Sequence, residues 1–240
     1  MKSLNILAIF CFMGLNAICQ LTDEMILQLS PQDMLEVGIN AGKLQIVKTA
    51  IAKGADINKA ESLPLCLAIR AANRGAGLSP GEEEEAYAAL FGGTPPPHNT
   101  YVELTRWLLQ NGANPNIDPD LLRENPPLLV AAEERDLETS RLLLSFKADP
   151  NIKNQSGNTA LHILSIPIAM ALPYEAGPEI AKLLIANGAK NIKDNNGYTP
   201  LARAKEDLEI IENTPFWKES PFYNNLTTSF KRLIEIYQNM

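Results

Sequence analysis

The 240-residue sequence holds few of the residues that build disulfides, metal sites or redox centres. It contains three cysteines and two histidines. Cys11 and Cys19 lie within the first twenty residues, which leaves Cys66 alone in the rest of the chain. Without a cysteine pair or a histidine pair, we expect no internal disulfide, no zinc site and no bound cofactor. We therefore expect packing alone to hold the fold.

The sequence also lacks an excess of basic residues. It has 21 lysines and arginines against 28 aspartates and glutamates, a formal net charge of -7. An acidic chain without a basic stripe repels phosphate groups, which disfavours nucleic acids and anionic membranes as partners. Hydrophobic residues make up 45% of the chain and charged residues 20%, as in folded soluble domains and unlike disordered chains.

A long apolar run occurs at the beginning of the chain, over residues 4–19. It follows the single early charge of Lys2 and ends with small residues two positions apart. This pattern is typical of a signal peptide and predicts that residues 1–19 are removed on export to the periplasm or the medium. Two alternatives stay open. One is an uncleaved membrane anchor, although the run is shorter than the ~20 residues a bilayer requires. The other is lipidation of Cys19, although Ile18 stands where that signal has a small residue.

Two short phrases recur along the chain. The first follows an apolar helical run and stands as Gly54-Ala55-Asp56-Ile57-Asn58, Gly112-Ala113-Asn114-Pro115-Asn116, Lys147-Ala148-Asp149-Pro150-Asn151 and Gly188-Ala189-Lys190-Asn191-Ile192. The second comes soon after it, as Leu63-Pro64-Leu65, Pro126-Pro127-Leu128, Thr159-Ala160-Leu161-His162 and Thr199-Pro200-Leu201. Glycine ends a helix in the left-handed conformation, and a threonine N-cap followed by proline opens one. The chain therefore repeats a unit of two helices and a hairpin-like loop.

These phrases resemble the ankyrin-repeat family, whose period is about 33 residues. The resemblance covers residues 33–213 and implies an all-α solenoid of about five stacked helix pairs joined by hairpin-like loops. Residues 20–32 then form an N-terminal linker. Residues 214–240 form a C-terminal capping segment, in which the helical spacing of apolar residues predicts a docked helix from about Leu226 to Tyr237. We expect a mainly helical monomer.

The spacing of the repeats predicts two insertions between paired helices. The alanines of the first phrase, at positions 55, 113, 148 and 189, lie 58, 35 and 41 residues apart. Compared with the family period, these spacings indicate about 28 extra residues near 74–100 and about 8 near 166–178. The first insertion is rich in glycine and proline, so we expect a short helix only over residues 82–91. We expect this insertion to be dispensable for folding and to contribute to partner binding.

Few side chains are candidates for chemistry, and we assign none to catalysis. The resemblance gives His162 a structural role, in which its imidazole joins neighbouring loops. We interpret Cys66 as a buried packing thiol rather than a reactive one. The acidic run 82–85 has three interpretations: a solvated first turn of a helix, which we favour, a docking element for a basic patch, or a calcium site.

The resemblance places partner recognition on the hairpin tips and on the inner face of each first helix. By register these positions are Arg70, Arg123, Asn125, Glu133, Glu134, Gln155, Ser156, Asn158, Asn195, Asn196, Tyr198 and Glu206. Of these, Tyr198 is the best candidate anchor, since tyrosine combines a large apolar ring with a polar tip.

Three functions compete for this architecture. We favour a non-catalytic module of an exported protein that binds another protein and, once its signal is removed, contacts neither membrane nor nucleic acid. The alternative is a secreted effector of a host-associated bacterium that binds a eukaryotic protein. An enzyme is disfavoured, because the chain outside the repeats is too short for a catalytic domain.

Overall fold

A computed structural model of the protein describes residues 21–59, 63–73, 87, 90, 91, 94–117, 125–167 and 175–240. Within these ranges the regular elements are helices and no strand occurs, which confirms the predicted all-α fold. The chain divides into two compact units, residues 1–113 and residues 114–240. The predicted signal peptide lies outside the described residues.

The described part of the first unit contains two helix pairs preceded by a short helix. Its helices are α1 (Asp23–Ile26), α2 (Pro31–Asn40), α3 (Leu44–Ala52), α4 (Pro64–Ala72) and α5 (His98–Gln110). Helix α2 packs against α3, and α4 packs against α5. The two pairs adjoin through their first helices, α2 and α4. This arrangement corresponds to the first two predicted repeats.

The first repeat begins with a helix-opening signal that the sequence analysis missed. The Ser30 hydroxyl accepts a 3.3 Å hydrogen bond from the Asp33 N–H, and Pro31 occupies the first helical position. Ser-Pro therefore opens α2 as Thr-Pro opens a later repeat. The segment 20–32, predicted as a linker, also contains α1, whose Ile26 is fully buried. This segment is part of the packed unit.

The first insertion contributes to the core of the first unit. Tyr87 and Phe91 are only 6% and 9% exposed, and their ring centroids lie 5.0 Å apart. The Tyr87 hydroxyl donates a 3.0 Å hydrogen bond to the carbonyl of Ala41. These contacts argue against the expectation that the insertion is dispensable for folding. The insertion ends before residue 100, because α5 begins at His98. Its acidic run 82–85 lies outside the described residues.

The described part of the second unit contains three helix pairs. Its helices are α6 (Pro127–Glu133), α7 (Leu137–Ser145), α8 (Ala160–Leu164), α9 (Ala176–Ala186), α10 (Pro200–Asn213), α11 (Pro215–Lys218) and α12 (Tyr223–Gln238). The first helices α6, α8 and α10 adjoin in that order, and so do the second helices α7, α9 and α12. Helix α12 thus completes the last pair. The second insertion ends at α9, and most of it lies outside the described residues.

The predicted C-terminal helix is confirmed and is slightly longer than expected. It buries the side chains of Phe230, Leu233 and Tyr237, as the helical spacing predicted. The Tyr237 hydroxyl donates a 3.0 Å hydrogen bond to the carbonyl of Leu161 in α8. Burial raises the pKa of Tyr237, so its hydroxyl remains a donor at neutral pH. The last helix is therefore fixed to the preceding repeat by packing and by a polar contact.

The contacts of the insertion lead to a stability prediction. We expect Phe91→Ala to lower the free energy of unfolding by about 3 kcal/mol, as for other buried aromatic truncations. Urea unfolding followed by far-UV circular dichroism would measure the change. The control is Leu27→Ala, because Leu27 is an exposed apolar residue of the same unit. Equal, small effects of both substitutions would show that the insertion does not stabilise the fold.

Candidate partner-binding surface

Successive loops of the second unit are joined by asparagine side chains. Asn151 donates a 2.9 Å hydrogen bond from Nδ2 to the carbonyl of Gly188, and its Oδ1 accepts one of 2.8 Å from the Lys190 N–H. Asn116 makes the same pair of bonds to the loop that follows α7, at 2.8 and 2.7 Å. The first recurring phrase was recognised in the sequence, but the bridging role of its last residue was not predicted. The recurrence of asparagine at the fifth position of the phrase could have indicated that role.

The bridging asparagines are themselves held by tight turns. The backbone N–H of each bridging asparagine donates a hydrogen bond to the side chain two residues earlier. Asn116 donates to Asn114 at 2.9 Å, and Asn151 donates to Asp149 at 2.8 Å. In the first unit, the Asn58 N–H donates a hydrogen bond of 2.8 Å to the Asp56 side chain in the same way. The recurring phrase therefore encodes both the turn and the side chain that links it to the next loop.

His162 joins two loops, as the family resemblance implied. Its Nδ1 accepts a 3.1 Å hydrogen bond from the Thr159 N–H, so the ring proton lies on Nε2. Nε2 then donates a 3.0 Å bond to the carbonyl of Tyr198, at the tip of the next loop. Burial lowers the pKa of His162, which keeps the ring neutral in the folded protein. The imidazole is a structural element here.

The tips before α8 and α10 lie in contact. Asn195 donates from Nδ2 to the Gln155 carbonyl at 2.9 Å and from its backbone N–H to the Ser156 carbonyl at 3.1 Å. Gly157 has φ of 78°, and a Cβ at this position would collide with Asn195. Glycine is therefore required there both for the backbone conformation and for space. The side chains of Gln155, Ser156, Asn195 and Asn196 remain exposed.

Some predicted binding residues also serve the scaffold. Asn125 accepts a 2.8 Å hydrogen bond from Asn154 and donates one of 3.4 Å to Glu133. The Asn158 N–H donates to the Asn154 side chain at 2.9 Å. Glu133 and Glu134 are half-buried at the end of α6. These residues lie near the tips but are not simply free surface.

Of the two remaining predicted residues, the structure describes only Arg70. Arg70 is half-buried in the last turn of α4, in the first unit. Arg123 lies outside the described residues. The exposed polar tips described here therefore belong to the second unit.

Tyr198 is the centre of a cluster rather than an isolated anchor. The guanidinium of Arg203 lies 4.7 Å from the centroid of the tyrosine ring. The tyrosine hydroxyl donates a 3.4 Å hydrogen bond to Glu206. Arg203 also forms ion pairs with Asp194 at 3.6 Å and with Glu206 at 3.8 Å. The tyrosine is half-buried and is held in place by these contacts.

Arg135 is a structural residue that no pattern in the sequence singles out. It is 4% exposed and adopts a φ of 56° in the turn between α6 and α7. Its guanidinium donates to the carbonyls of Ala132, Leu164 and Ile166 at 3.1 to 3.3 Å. It therefore closes the C-terminal end of α8, where helical carbonyls lack partners of their own.

Comparison with known proteins agrees with the geometry of these helix pairs and loops. Residues 97–166 match the model of the ankyrin-repeat family, described as ankyrin repeats in three copies. The chain contains ankyrin repeats. Ankyrin repeats generally mediate contacts between proteins and are typically non-catalytic.

The similar proteins are much longer than the part that matches. The human transient receptor potential cation channel subfamily A member 1 is 31% identical over 117 residues, which are 46% of this chain and 10% of the channel. Two ankyrin repeat proteins of Acanthamoeba polyphaga mimivirus are 33% identical over 92 residues and 37% identical over 60. Those segments cover 37% and 25% of this chain, and 14% and 8% of the viral proteins. The chain thus matches only a small fraction of each relative.

Within the described residues, no group of three or more histidine, cysteine, aspartate or glutamate residues is placed to hold a metal ion. No helix within the described ranges is long and apolar enough to cross a membrane.

The buried carboxyl of Asp207 on α10 leads to a pH prediction. Burial and, to a smaller extent, the charge of Glu206 raise its pKa to about 6, although Arg203 opposes the shift. Ionised Asp207 therefore destabilises the folded state, and this loss develops as the pH rises from about 4 through 6. We expect Asp207→Asn to raise the free energy of unfolding by about 1–3 kcal/mol at pH 7 and to give no gain at pH 4.

Thermal unfolding of both proteins between pH 4 and pH 8 would measure this difference. The control is Glu209→Gln, since Glu209 is an exposed carboxylate on the same helix. A gain of equal size at pH 4 and pH 7 would show that Asp207 does not titrate in this range.

Proposed function

We propose that this ankyrin-repeat protein is a non-catalytic module that binds another protein through the loop tips and first-helix faces of its repeats. One observation carries the proposal: the side chains of Asn195 and His162 fix the tip backbones, while Gln155, Ser156 and Asn196 are exposed. Since the scaffold does not need these side chains to be buried, their chemistry can be set by a partner.

The fixed loops favour affinity for physical reasons. A binding loop that is already ordered loses little conformational entropy when its partner arrives. The tips present amide and hydroxyl groups that both donate and accept hydrogen bonds, and the half-buried ring of Tyr198 lies in the same loop as Asn195 and Asn196. Such a surface suits a folded protein with polar groups at its contact rather than a small apolar ligand.

The binding test uses two tip residues and a matched control. We expect the double variant Gln155→Ala/Asn196→Ala to weaken binding of a partner isolated with the full chain by about tenfold or more. Calorimetric titration would measure the loss. The control is Lys182→Ala, because Lys182 is exposed on the second helix α9, away from the tips in sequence and in repeat position. Unchanged affinity of the double variant would contradict the assignment of the tips.

The origin of the partner would distinguish a module that acts in the periplasm or the medium from a secreted effector. A partner from the producing cell or its surroundings supports a module that acts in the periplasm or the medium. A eukaryotic partner supports the secreted effector.

We also propose that the protein is exported. The charged second residue and the apolar run over residues 4–19 support this, since that order is typical of a signal peptide. We expect the exported protein to lack residues 1–19, which intact-mass measurement would detect. Recovery of the full 26.3 kDa chain from the membrane fraction would contradict cleavage and favour an anchor.

A further inference from the structure

Three asparagines of the chain are followed directly by glycine: Asn111, Asn187 and Asn196. This dipeptide is chemically labile, because glycine has no side chain to keep its backbone nitrogen away from the side chain of the preceding residue. All three asparagines are exposed, so exposure does not distinguish them. Their hydrogen bonds do.

Two of the pairs lie at the ends of second helices, where the asparagine side chain is tethered. Asn111 follows α5 and donates from Nδ2 to the Trp107 carbonyl at 2.8 Å. Asn187 follows α9 and donates from Nδ2 to the Leu183 carbonyl, also at 2.8 Å. An amide that is bonded back to its own helix must first break that bond before it can swing toward the glycine nitrogen that follows it.

Asn196 lies at the exposed tip before α10, and its side chain has no such tether. Within the described residues its amide makes no hydrogen bond, and only its backbone N–H is bonded, to the Asp194 carboxylate at 2.9 Å. In all three pairs the glycine N–H donates to a backbone carbonyl, at 2.9 to 3.3 Å. The side-chain tether is therefore what separates Asn196 from the other two asparagines.

We propose that Asn196 is a site of spontaneous deamidation. The Gly197 nitrogen gives up its proton to solvent and attacks the side-chain carbonyl carbon of Asn196, which releases ammonia and closes a succinimide ring. Water then opens the ring at either of its carbonyls and leaves aspartate or isoaspartate. The net reaction consumes a water molecule and releases an ammonia molecule.

Either product changes the tip before α10. The neutral amide becomes a carboxylate, which adds negative charge to a chain that is already acidic. Isoaspartate also lengthens the backbone of the loop that is closed by the hydrogen bond from the Asp194 N–H to the Tyr198 carbonyl at 2.8 Å. The same carbonyl accepts the hydrogen bond from His162, so the change extends to the contact between neighbouring loops. The reaction requires no partner and therefore goes beyond the proposed function.

Incubation of the folded full chain at mildly alkaline pH, in water enriched in heavy oxygen, tests the proposal. Heavy oxygen enters only a carboxyl group that forms during the incubation. Digestion with trypsin in ordinary water then separates the three pairs, which fall in peptides 107–123, 183–190 and 194–203.

We expect peptide 194–203 to gain the label at least about tenfold faster than the other two, because reaction there breaks no side-chain hydrogen bond. Fragmentation in the mass spectrometer should place the label on Asn196 rather than on Asn195, whose side chain bonds to Gln155.

The matched reference is the same chain unfolded in guanidinium chloride. There all three pairs lose their hydrogen bonds and should react at similar rates, since they share the same dipeptide. The matched variant is Asn196→Gln, whose longer side chain disfavours ring closure. It should abolish the label in peptide 194–203 and keep the helical circular dichroism of the parent, because residue 196 is exposed.

Equal labelling of the three peptides in the folded chain would show that the reaction proceeds through the unfolded state, and it would overturn the proposal. Faster labelling at Asn111 or Asn187 would overturn it as well. The same holds if Asn196 reacts in the unfolded chain but not in the folded one, because the turn would then protect it.

Discussion

The hydrogen-bond pair of each bridging asparagine is the interaction on which the loops of the repeats depend. A loop between short helices leaves backbone N–H and carbonyl groups without partners, and these must be satisfied where water is displaced. One amide side chain supplies both a donor and an acceptor, as Asn151 does for Gly188 and Lys190. Because the same bridge recurs at Asn116, the loops of the second unit are fixed to each other in register.

Buried polar side chains, in addition to the asparagine bridges, fix the short helices of the second unit. Helices of five or seven residues, such as α8 and α6, are too short to be stable alone and require tertiary partners. His162 fixes the start of α8 to the next loop, and Arg135 closes its end. Tyr237 reaches the same helix from the C-terminal helix. Packing and hydrogen bonding therefore converge on α8, which lies in the middle pair of the second unit.

Some residues predicted for recognition also serve the scaffold. Asn125, Asn195 and Tyr198 were predicted as contact residues, and each also holds a neighbouring loop or side chain in place. A change at these positions would alter the shape of the surface together with its chemistry. Gln155 and Asn196 are exposed at the tips, so substitutions there leave the buried core unchanged.

The sequence by itself determined the helix pairs, the recurring loops and the docked C-terminal helix, because caps, turns and helical spacing act over a few residues. The tertiary structure decided which distant groups meet. The bond from Tyr87 to Ala41 spans 46 positions, so no local pattern in the insertion could show that it packs into the core. A charged residue in a turn predicts exposure, yet three carbonyls from two helix ends gather around Arg135 and stabilise it in the interior. Such contacts depend on how the chain folds back on itself, which short-range preferences do not specify.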